Sequence, residues 1–173
     1  TDLGANNATR TKIEAALKDV KPHLIIHYDH GSSFTLWGQS SNALEAGLDD
    51  NNIALVSERM VSTVSCQSAN GLGPFAITQG VISYVGYTEN HIFWTHKTAE
   101  FGVASNAANF VLLEGGSAQE AFDAGWAAYD ALYHDLLTAG DLTAAATALH
   151  DRDCLALLGS GVSNAPPPCV CSH

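Results

Sequence analysis

The sequence predicts an α/β fold built on a mainly parallel sheet, and three observations carry the prediction. Residues 23–28, 60–65 and 81–85 are short apolar, β-branched runs, suited to strands covered on both faces. Segments with helical periodicity fall before, between and after them. Gly, Pro and Asn mark most of the junctions.

Residues 9–20 place Ile13, Ala16, Leu17 and Val20 at helical spacing, and Pro22 stops that helix. Residues 23–28 read as a strand apolar enough for a central place in the sheet. Residues 31–43, rich in Ser, Gly and Asn, read as loop. Residues 44–56 do not resolve to one type and break at 48–52. Residues 60–65 form the second buried strand. A turn follows Cys66, and a short helix over 75–80 closes at Gly80. Residues 81–85 form the third strand, followed by a loop with Glu89, His91 and Trp94. Residues 98–113 read as helix. The next helix, within 116–137, has a Ser117–Glu120 capping box, and its line of Phe122, Trp126, Tyr129, Tyr133 and Leu137 reads as core. A helix over 141–149 precedes a last strand over 154–158. One domain thus spans 1–163, and a Pro- and Cys-rich tail spans 164–173.

Composition narrows the function. The chain has 173 residues, of which 46% are hydrophobic and 14% charged, so it can bury a sizeable core. A net charge of −11 with only 7 Lys and Arg argues against a nucleic-acid partner. No apolar run approaches the roughly 18–20 residues of a membrane span.

In parallel sheets, functional side chains gather at the carboxyl ends of strands. His30-Gly31 and Cys66 each fall just past such an end. A thiol of pKa ~8.5 is a weak nucleophile at neutral pH until a nearby imidazole takes its proton. The same imidazole can then protonate a leaving amine. Gly31, without a side chain, can offer its N–H to a carbonyl oxygen together with the N–H of Cys66. Such an oxyanion donor is commonly worth ~3 kcal/mol. Read blandly, Cys66 is a small core residue and His30-Gly31 an ordinary turn.

Strand–His30-Gly31-Ser32, a spacer with Trp37, then strand–Ser65-Cys66 resembles the caspase-like cysteine peptidase superfamily, and within it the gingipain-type family. The resemblance extends through residues 71–88 and to "CLALLGSG" at 154–161, and so covers most of 22–160. It implies a caspase-like three-layer sandwich with Cys66 as nucleophile, His30 as acid/base, and oxyanion donors at Gly31 and Cys66. It also implies that the loop of Glu89 and Trp94 shapes substrate binding, with Trp37 beside it. No cofactor and no metal are expected at such a site. Asp29 departs from the small residue usual before the His. Strands that precede the His strand in that family have no counterpart here; three alternatives stand, that an upstream segment supplied them and was cut off, that a companion chain from the same precursor supplies them, or that they are absent.

Two metal-ligand patterns compete. His23 and His27 alternate on one strand face. Cys169, Cys171 and His173 form a compact set for zinc or copper, for a disulfide, or for no role. Cys154 reads as core, or as a partner for a tail cysteine.

Three functions follow: an extracellular cysteine endopeptidase acting on protein or peptide substrates; a silent caspase-like protein used for homo-oligomeric assembly or protein binding; a metal-binding module.

Overall fold

A computed structural model describes residues 2–4, 7–39 and 44–164. Its main sheet has four strands in the order β1 (Leu24–Tyr28), β5 (Met60–Val64), β6 (Ser83–Tyr87), β7 (Leu155–Gly159). β1, β5 and β6 run parallel, and β7 is antiparallel to β6. The α/β class and the mainly parallel sheet are therefore as the sequence predicts.

Residues on β5 and β6 alternate between two cores. Met60, Val64, Val85 and Tyr87 pack against one group of helices: α3 (Thr98–Leu113), α4 (Ala118–Thr138) and α5 (Leu142–Cys154). Val61 and Tyr84 face the opposite side, with Leu72 and Ala76 of α2 (Leu72–Thr78), Leu17 of α1 (Arg10–Asp19) and the short 3₁₀ turn Ile53–Val56. A period of two along each strand thus fills two separate apolar layers, and helices lie on both faces. All five residues of β5 are buried.

Several expectations need correction. β1 is an edge strand, not a central one, and Tyr28 is 56% exposed. Residues 31–39 are not loop. β2 (Gly31–Ser32), β3 (Thr35–Gln39) and β4 (Leu44–Asp49) form a separate antiparallel sheet that also settles the unresolved 44–49 segment. Gly38 makes this sheet compatible with the chain before α1, because a Cβ there would stand 2.0 Å from the Ala8 carbonyl oxygen. The Gln39 N–H then donates to that carbonyl at 2.9 Å. On α4 the capping box forms as expected: the Glu120 N–H donates to Ser117 Oγ at 3.2 Å, and the Ser117 N–H to Glu120 Oε2 at 2.7 Å. Its buried line, however, runs through Ala118, Ala121, Gly125, Tyr129, Leu132 and Leu136. Trp126 is turned outward under the Arg152 guanidinium, 4.8 Å from its ring centre. Finally, α5 continues to Cys154 and does not stop at 149. Cys154 therefore ends a helix and does not open a strand.

Candidate active site

The carboxyl ends of β1 and β5 lie side by side. Tyr28 and Val64 are the last paired residues, and His30 and Cys66 each stand two residues beyond them. The connecting backbone is tightly fixed. Ser65 Oγ donates to the Asp29 carbonyl at 2.7 Å and lies 2.8 Å from His27 Nδ1. The His30 N–H donates to Asp29 Oδ1 at 2.7 Å, and its carbonyl accepts from the Trp37 N–H at 3.0 Å. The Asp29 carboxylate thus holds the His30 turn through the His30 backbone N–H.

Gly31 is required here by space. A Cβ would stand 2.7 Å from Ser65 Cβ and 3.0 Å from the Cys66 carbonyl oxygen. Such contacts exclude any side chain, so the two backbones that were expected to supply oxyanion donors pack directly against each other.

After Cys66 the chain reverses through Gln67, which holds φ at +53°. This left-handed conformation is uncommon for a residue with a side chain and persists where surrounding bonds enforce it. The Gln67 N–H donates to the Glu89 carbonyl at 2.8 Å, and its Oε1 accepts from Ser33 Oγ at 3.0 Å. Ser68 Oγ donates to the Ser65 carbonyl and accepts from the Tyr87 N–H, at 3.0 and 3.2 Å. The turn is therefore fastened to the end of β6 and to the loop after it.

Cys66 is a free, half-buried thiol. It donates to the His91 carbonyl at 3.6 Å. His30 is exposed. The two segments thus meet as the sequence predicts, yet the thiol is engaged by the following loop rather than by the imidazole. Of the expected substrate contacts, Glu89 touches the turn through its carbonyl. Trp37 lies beside His30 on β3. Trp94 leans the other way, its indole N–H donating to Thr147 Oγ1 of α5 at 3.0 Å.

Behind this loop lies a buried polar network that the sequence reading missed. The Tyr87 and Tyr129 hydroxyls are 2.9 Å apart, and His91 Nε2 is 3.0 Å from the latter. His91 Nε2 is 3.7 Å from Asp151 Oδ2, and Asp151 Oδ1 accepts from the Ile92 N–H at 3.0 Å. Burial, with the nearby His150 adding to it, pushes the His91 imidazole down to about 4. Burial pushes the Asp151 carboxyl up to about 8, against the opposing pull of the Ile92 N–H. The pair is therefore mainly uncharged at neutral pH. A sequence signal existed: Asp151 continues the buried line Ala144, Ala148 on α5, where a carboxylate is out of place. Ending the helix at 149 hid it.

The His23–His27 pair does not form a metal site. Both ring nitrogens of His27 are committed, Nε2 lying 2.8 Å from the Trp37 carbonyl, and burial lowers its pKa. His23 is exposed ahead of the strand. Cys169, Cys171 and His173 lie outside the described residues. No helix among those described is long and apolar enough to cross a membrane.

What fold and site define is an α/β protein with a half-exposed thiol at the carboxyl ends of its parallel strands. No protein-family model matches the chain, and no curated protein matches it.

Proposed function

We propose that this chain is a cysteine endopeptidase of caspase-like architecture. The observation that supports it is the equivalent placement of His30 and Cys66, two residues past the last pair of adjoining parallel strands. In this reading the Cys66 side chain rotates from the His91 carbonyl toward His30. The imidazole takes the thiol proton, and the sulfur attacks the scissile carbonyl carbon. The Gly31 and Cys66 N–H groups stabilise the developing oxyanion. His30 returns its proton to the departing amine, then activates water that hydrolyses the thioester.

The test is incubation with a denatured protein mixture and mass spectrometry of new peptide termini. The native chain is expected to generate them, Cys66→Ala to generate none, and His30→Ala to be at least ~100-fold slower. Absence of new termini, with Cys66 reacting no faster than Cys154 toward iodoacetamide, overturns the reading.

A second reading, assembly or protein binding, is supported by the outer edge of β1. Among the described residues no strand pairs with it, and a cleft of about 720 Å³ runs along it, lined by Leu17, Leu24, Ile26, Trp37 and Leu112 among others. Concentration-dependent association that Ile26→Lys abolishes would favour this reading. A monomer at all concentrations would count against it.

A further inference from the structure

We propose that α5 carries a divalent transition-metal site formed by His150, Asp151 and Cys154 and suited to Zn²⁺. His150 and Cys154 stand one helical turn apart, with Asp151 three residues before the cysteine, so helix geometry gathers them. One ligand atom from each lies within 4.8 Å of the others. Tetrahedral zinc, with bonds of ~2.0–2.3 Å, sets its ligand atoms roughly 3.3–3.8 Å apart, so the set closes by about 1 Å.

Three independent features point to an ion. Asp151 is fully buried, and its Oδ2 has no hydrogen-bond partner among the described residues. The closest ring nitrogen, of His91, is too distant at 3.7 Å to supply one. A buried carboxyl oxygen left so is costly, and a cation that displaces the carboxyl proton satisfies it. Next, His150 Nε2 lies 2.9 Å from the Asn90 carbonyl. With its N–H given to that carbonyl, the ring keeps a lone pair on Nδ1, the usual outer partner arrangement of a metal-bound histidine. Last, the donor set is selective. An imidazole, a thiolate and a carboxylate suit zinc and disfavour magnesium or calcium. The thiol and carboxyl protons leave to solvent as the ion enters, and one thiolate plus one carboxylate neutralises its charge, as a buried site requires. Water completes the fourth position.

Such an ion would also brace the neighbouring loop. His150 and Asp151 already hold the Asn90 carbonyl and the Ile92 N–H, so an ion on them would lock α5 to the loop whose His91 carbonyl receives the Cys66 thiol.

The test uses the full chain carrying Cys66→Ala, Cys169→Ala and Cys171→Ala, so that Cys154 is the remaining thiol, titrated with Co²⁺ alone. The expected result is one equivalent bound with a thiolate-to-cobalt charge-transfer band, displaced by Zn²⁺. Further substitution of Cys154→Ala abolishes the band. His150→Ala weakens Co²⁺ binding at least ~100-fold. His23→Ala leaves it unchanged. No band, a band that survives Cys154→Ala, or unchanged affinity in His150→Ala overturns the proposal. His150 is half-buried, so its variant keeps the test decisive if Cys154→Ala fails to fold. The readout is metal uptake, independent of any peptidase activity.

Discussion

Cys66 and Cys154 both contact one loop, residues 88–94, yet their surroundings have little in common. The first sits on a turn of short strands, half-open to water and held by backbone bonds around Gly31 and Gln67. The second ends a helix, 4% exposed, its thiol donating to the Asp151 carbonyl at 3.5 Å. Burial, with Asp151 adding to it, pushes the Cys154 thiol up to about 12. The difference teaches that local architecture, not the residue, decides which sulfur is available for chemistry.

The largest expected effect tests this contrast directly. At pH 8, iodoacetamide should alkylate Cys66 at least ~100-fold faster than Cys154, followed by mass spectrometry of each peptide. Comparable rates would break the comparison. Next, Gly31→Ala forces a methyl group against Ser65 and Cys66. It should cost about 2–3 kcal/mol in urea unfolding and alter Cys66 reactivity, with no change at Cys154. On the helical side, Tyr129→Phe leaves the buried Tyr87 hydroxyl and His91 short of a partner. A loss of about 1–2 kcal/mol is expected, with Cys66 alkylation nearly unchanged.

The smallest effect concerns the support of the open side. Arg10 binds Asp49 at 2.7 and 3.1 Å, tying α1 to β4. Burial alone would raise the Asp49 carboxyl, but the Arg10 guanidinium and the Asn51 N–H hold it below its usual value. A lowered folded pKa means stabilisation that is present above the unfolded value of ~3.9 and lost as pH falls through the lower folded one. Asp49→Asn should therefore cost less than about 1 kcal/mol at pH 6, since Arg10 is partly exposed, and almost nothing near pH 2. An equal cost at both pH values would show that the pair contributes by packing alone.

β5 and β6 were legible because burial on both faces leaves runs of Val, Met and Tyr broken only by small residues such as Ser62, Thr63 and Ser83, although the third strand runs over 83–87 and not 81–85. That His30 and Cys66 lie just past strand ends was legible because each stands two residues beyond a recognisable strand, β1 and β5 respectively. β1 misled because apolar side chains report burial of the sheet faces, here partly against a cleft, and not whether a second strand pairs with its outer edge. The β2–β4 sheet was hidden by its small residues, whose purpose, as at Gly38, is close backbone approach. On α4, aromatic bulk drew the reading to Trp126. The true inner line uses Gly125, where a Cβ would stand 3.1 Å from Leu155 Cδ2 on β7 and 3.4 Å from Ala108 Cβ on α3, so a small residue fits the face packed against both. Asp151 escaped because hydrophobic periodicity records where apolar residues go. It says nothing of a carboxyl placed deliberately among them.

The left-handed bend at Gln67 has a kinetic consequence. Its neighbours clamp it from both sides, so the backbone that carries the sulfur is fixed before any encounter and only the side chain has to turn. On the proposed reading, an electrophile reaching the crevice meets a target with little searching left to do, and Gln67→Gly would blur the aim by freeing the bend and removing its bond to Ser33.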